Sequence, residues 1–239
     1  MTVRRIYAAT TGQCLVRNTD DVDEEERSRV TRDFEAGVRL VVDSDHQEVR
    51  GFVPAMRSTS EALFAVTQFD HESNASPLDT LSAAVTEEFE KRPHWRLRED
   101  TPEGAFIRQL ADPSSETTFP EGLQELLDAD PSDDTPVTVA VGDFTAAANV
   151  VRAIEQLQAR GHTPRRTVVV AVYESVDHIN YDVLCLVREQ TSGVSVIDDA
   201  TGESGETRKT ETRAESPVLD EPSTPRRLLD TLRCLFGRD

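Results

Sequence analysis

Apolar positions follow two periods along the chain. Alternating runs at residues 3–9 and 13–17 flank a Thr-Gly turn. Three more, at 38–43, 48–56 and 62–69, are joined by connections short enough for hairpins. Helical spacing predicts an acidic helix over 21–34 and a second helix over 77–91. In the second, Leu78, Leu81, Val85 and Phe89 share a face, Ser76 is placed as the N-cap and Pro77 opens the first turn. Residues 1–95 are therefore expected to form an N-terminal α+β lobe built on a β-meander.

Residues 96–136 break the pattern. Between 111 and 136 the chain carries eight acids and four prolines with no basic residue. It is expected to be a linker, with one short helix at 121–129 presenting Leu123, Leu126 and Leu127. A second lobe over 137–199 follows. It opens with a buried-type strand at 137–141. A helix at 144–160 comes next, with Val150, Val151, Ile154 and Leu157 on one face and Gly161 placed as its C-cap, and then a strand at 167–173. This strand–helix–strand order predicts parallel strands joined by a right-handed crossover. Residues 179–189 fit a helix, and they also fit a strand that turns at Thr191-Ser192-Gly193 into 194–198. The glycine-centred turn favours the hairpin. The fold class predicted is mixed α+β and α/β: an N-terminal β-meander with helices, then a C-terminal βαβ-containing lobe with a mixed sheet.

Residues 200–224 are acidic and almost without large apolar side chains, a composition that cannot bury enough surface to offset ordering. Residues 225–239 reverse that character. Thr224 and Pro225 open an amphipathic helix with Leu228, Leu229, Leu232, Leu235 and Phe236 on one side and Arg226, Arg227, Arg233 and Arg238 among them. Such a helix is marginal alone and has to dock. Docking on its own chain ranks first, a protein partner second and an anionic membrane surface last.

Charge changes the weight of every polar residue. The 239 residues carry 45 acids against 26 bases, a net charge of -19, and only Lys91 and Lys209 of those bases are lysines. Acid excess with almost no lysine suits a protein that stays soluble in molar potassium salt, and the composition resembles that of haloarchaeal proteins in general. It also makes a carboxylate at a strand end the default. Cys14, Cys185 and Cys234 are sparse and odd in number, with no CxxC or Cys/His cluster, so a reducing cytoplasm is expected and a zinc site is not. The longest apolar run, 168–173, is far too short to span a membrane.

Three constellations could carry chemistry. Asp143, Glu174 and Asp198 each follow a strand, and three parallel strands would bring them to one edge as oxygen ligands for Mg²⁺. The plainer role of Asp143 is to cap the following helix, because the loop 141–145 has a single glycine and no phosphate-binding fingerprint. Asp177-His178 beside Asn180 and Tyr181 is a local acid–base set, although adjacent loop residues seldom face each other. The pair Arg165-Arg166 is too small a basic footprint for nucleic acid. The function expected is a non-enzymatic interaction or regulatory module. Its partner would be another protein or a second copy, met through Arg226, Arg227, Leu228, Leu232, Leu235 and Phe236. The alternative is an α/β enzyme or Mg-nucleotide binder at Asp143, Glu174 and Asp198. No cofactor is expected except Mg²⁺ under that alternative.

Overall fold

Strand alternation is realised in one mixed sheet. The computed structural model describes residues 4–18, 24–56, 60–69, 76–111, 136–158, 164–171, 179–188 and 194–197, all within the unit Met1–Thr201. The elements are β1 (Arg4–Ala8), β2 (Cys14–Arg17), α1 (Glu24–Glu35), β3 (Val38–Asp43), β4 (Glu48–Met56), β5 (Ser60–Gln68), α2 (Pro77–Glu90) and β6 (Arg96–Leu97). They continue with α3 (Pro102–Ala111), β7 (Val137–Val141), α4 (Phe144–Gln158), β8 (Arg166–Val170), β9 (Val183–Val187) and β10 (Val194–Ile197). Spatial order across the sheet is β10-β7-β9-β8-β3-β4-β5-β1-β2, with β6 pairing off β4.

The meander β3-β4-β5 forms as predicted, with hairpin pairing from Asp43↔Glu48 and Met56↔Ser60. The sheet does not divide where the sequence suggested two lobes. β3 pairs antiparallel with β8, from Val38↔Val170 to Asp43↔Arg166, so meander and βαβ strands share one backbone ladder. The expected strand–helix–strand unit has parallel strands, but β9 lies between β7 and β8, parallel to both. Residues 183–187 are thus a strand and not a helix. Their expected hairpin with β10 does not form, because β7 and β8 already occupy both edges of β9. β10 instead pairs antiparallel with the free edge of β7, from Val194↔Val141 to Ile197↔Thr138.

Period-two alternation sends neighbouring residues to opposite faces. Leu40, Val53, Leu63, Val139, Val169 and Cys185 join one core with α2, α3 and α4. Val41, Phe52, Phe64, Val168 and Leu184 join the other, where Val30 and Phe34 of α1 pack. Ser76 caps α2, its hydroxyl accepting from the Asp79 N–H at 3.0 Å. Helix α3 falls in the stretch expected to be linker. Thr101 accepts from the Gly104 N–H at 3.1 Å, Pro102 starts the helix, and Phe106, Ile107 and Leu110 are buried. Arg152 of α4 ties this layer together, donating to the Leu110 carbonyl and pairing with Glu155 at 2.7 Å and Asp79 at 3.2 Å. The predicted helix at 121–129, the cap Gly161 and residues 200–239 lie outside the described residues. Among those described, no helix is long and apolar enough to cross a membrane.

Candidate binding site

Helix α1 buries an unusual stripe. Its inward residues are Glu26, Val30 and Asp33, at i, i+4 and i+7, so two carboxylates face the sheet. A buried carboxylate needs a partner, and the sheet supplies one for each. Glu26 accepts from the Tyr7 hydroxyl and from Arg5. Burial and the hydrogen bond to Glu26 together push the Tyr7 hydroxyl well above its ordinary value. Asp33 accepts from Arg50 Nε at 2.6 Å, while Arg50 Nη1 reaches Glu48 at 2.6 Å. Arg50 is only 1 % exposed. Burial alone would lower its pKa, but the two carboxylates outweigh that and raise it. Glu48 also meets Arg29 of α1 at 3.0 Å.

Beside this network lies a cleft of about 420 Å³. Arg29, Arg32 and Asp33 of α1, Arg166 at the start of β8, and Ile179 and Asn180 before β9 line it. Three elements converge here for reasons of topology: β8 and β9 are parallel, so their starts lie side by side, and α1 covers the same face. Glu35 and Ala36, from the end of α1, also face the space.

The guanidinium groups differ in how well they are paired. Arg29 holds Glu48. Arg32 is exposed and makes no ion pair among the described residues. Arg166 stands across the β3–β8 ladder from Asp43, whose Oδ2 is 3.7 Å from Nη1, beyond hydrogen-bond reach. Arg166 Nε is buried without a hydrogen-bond partner. Burial first, and then the charge of Arg50, hold the Arg166 pKa below its ordinary value, with Arg29 adding to the repulsion. Asp43 is held elsewhere, accepting from the His46 backbone N–H at 3.1 Å and lying 2.9 Å from His46 Nδ1. The result is a loosely paired cation at a cleft wall.

The residues singled out from sequence are distributed differently. Asp143 caps α4, its Oδ1 accepting from the Ala146 N–H at 2.8 Å. Glu174 and Asp198 lie outside the described residues. The strand leading to Asp198 ends with Ile197 opposite Thr138, at the start of β7, whereas Asp143 follows the end of β7. Among the described residues no group of three or more His, Cys, Asp or Glu is arranged to hold a metal. Asp177 and His178 also lie outside the described residues. Asn180 from the same loop faces the cleft, and Tyr181 packs into the core on the α1 side. Arg226, Arg227, Leu228, Leu232, Leu235 and Phe236 lie outside them too. Cys185 is fully buried, which pushes its thiol up to about 12, as suits a core residue.

Sequence reasoning missed the arginine cleft. Its signal was Arg50, a charge set between Val49 and Gly51 in a strand buried from Glu48 to Ala55, with Asp33 at helical spacing from Glu26 and Val30.

Compared with known proteins, the chain matches no family model, no curated protein and no solved structure. What the site can do rests on its own geometry. It offers forked N–H donors from Arg32 and Arg166, an amide from Asn180 and a carboxylate from Glu35, next to an apolar wall.

Proposed function

We propose that this protein is a non-enzymatic binding and regulatory module of a salt-rich cytoplasm, and that the arginine cleft is where it recognises an anionic group. One observation carries this: in a chain of net charge -19, an under-paired guanidinium, Arg166, stands at a cleft wall with Arg29 and Arg32 beside it. Arginine is suited to such a role because its planar fork meets carboxylate or phosphate oxygens two at a time. The scarcity of lysine and the sparse cysteines support the setting. Residues 225–239 are the second element proposed to contact a partner, with Arg226 and Arg227 beside Leu228, Leu232, Leu235 and Phe236.

Charge reversal at the cleft tests the proposal. Cross-linking of the full chain in its host lysate, followed by mass spectrometry, should show partners that are lost in Arg32→Glu and Arg166→Glu. Deleting 225–239 should weaken the same associations while the sheet stays folded. Partner capture that survives both charge reversals would remove the cleft from the function.

A further inference from the structure

We infer that the cleft between α1 and the starts of β8 and β9 takes a small phosphate ester that also carries hydroxyl or amine donors, a sugar phosphate or nucleoside monophosphate. This rests on the cleft being the recognition site, and goes further by naming the chemistry of its ligand.

Size is the first consideration. A space of about 420 Å³ falls in the range of small-molecule sites, about 300–1,000 Å³. It is larger than a bare inorganic anion needs. Charge is the second. The Arg166 guanidinium has only the loose pair with Asp43 at 3.7 Å, its backbone N–H being the group that donates to Asp182, and Arg32 has no ion-pair partner among the described residues. Two guanidinium groups on facing elements can clamp one phosphoryl group from both sides. Behind them the Arg50 charge is balanced by Asp33 and Glu48 at 2.6 Å each, so Asp33 is committed to Arg50 and not to the cleft arginines.

The rest of the wall argues against a ligand that is anionic throughout. The Glu35 carboxylate faces the same space and would repel a second anionic end, while it would accept from a hydroxyl or an amine. Asn180 offers both a donor and an acceptor, and Ile179 and Ala36 provide apolar contact. A phosphate at one end with hydrogen-bond donors at the other satisfies every group named. The mixture also matters for salt. Contacts made through phosphate charge alone weaken steeply as ionic strength rises, whereas the Glu35, Asn180 and Ile179 contacts would persist.

Isothermal titration of the full chain at low and molar KCl provides the test, with adenosine 5′-monophosphate, ribose 5-phosphate, adenosine and inorganic phosphate as probes. At least one of the two esters should bind at both salt concentrations, at least about tenfold more tightly than inorganic phosphate or adenosine, a gap worth about 1.4 kcal/mol. Arg32→Gln, exposed and harmless to the core, should lose that preference tenfold or more, as should Arg166→Gln where circular dichroism shows it folded. Esters that bind no better than inorganic phosphate, or binding unchanged in Arg32→Gln, would overturn the ligand class. If the esters fail while charge reversal still abolishes partner capture, the cleft remains a recognition site for another anion. If both fail, the cleft itself is not the site.

Discussion

Replacing Arg50 with methionine removes the charge at the centre of the α1–sheet contact. Its guanidinium is 1 % exposed and donates to Asp33 and Glu48 at 2.6 Å each. Hydrogen bonds to charged groups contribute about 1.5–3 kcal/mol apiece. Breaking a buried pair by deleting one partner costs about 3–5 kcal/mol, because the orphaned charge stays buried. Here two carboxylates would be orphaned, although Glu48 keeps Arg29 at 3.0 Å. Arg50→Met should therefore lose about 3–5 kcal/mol, a large share of the roughly 5–15 kcal/mol that holds a typical domain together. The measurement is urea unfolding at fixed KCl, followed by circular dichroism. A companion variant, Arg50→Met with Asp33→Asn and Glu48→Gln, should recover much of the loss, since it removes the stranded charges along with their partner. The loss should also change little between low and high salt, because buried charges are poorly screened. A single variant within about 1 kcal/mol of the parent, or a triple variant no better than the single one, would refute this account of the α1 contact.

Two further outcomes follow from the same structure. The Asp43 carboxyl is held below its ordinary value of 3.8; burial pushes it up, but hydrogen bonds from His46 and the charge of Arg166 outweigh it. A depressed folded pKa adds stability that is present above the unfolded value and lost as pH falls through the folded one, so Asp43→Asn should flatten the decline in stability below about pH 4; an acid limb of unchanged slope would contradict this. At Gly104 an added Cβ would meet the Arg98 carbonyl at 1.9 Å, and at Gly51 it would meet only the tip of Leu81 at 2.9 Å. Gly104→Ala should therefore cost more than Gly51→Ala in melting temperature, with overpacking typically costing about 1–3 kcal/mol; the reverse order would refute the packing of α3.

The meander was legible because its alternation and short connections are local properties of 38–69. Helix α2 was legible for the same reason, since Ser76, Pro77 and the Leu78–Leu81–Val85 stripe lie within a few turns. What the chain did not announce is non-local. Nothing near Val183 says that β9 inserts between β7 and β8, and nothing near Val38 says that its free edge is claimed by β8. Helix α3 was hidden by its acidic, proline-rich surroundings, although Thr101-Pro102 followed by Phe106, Ile107 and Leu110 is a capped amphipathic turn. The cleft was hidden for a different reason. An acid-rich sequence devalues each carboxylate as a clue, and only the partner on a distant strand shows that Asp33 faces inward. Arg166 looked like half of a minor basic pair until α1 and Asn180 were set around it.

The β3–β8 ladder has a consequence for how the chain is made. Val41 meets Val168 across about half of the sequence, so a ribosome must release the βαβ strands before the meander can close its inner edge. Until then β3 presents unpaired N–H and C=O groups flanked by Val38, Val41 and Val42, a template that any stray strand can extend. The nascent meander is thus at its most adhesive midway through synthesis. A chain cut after the meander should inherit that adhesiveness permanently, as a species that associates edge to edge instead of staying single.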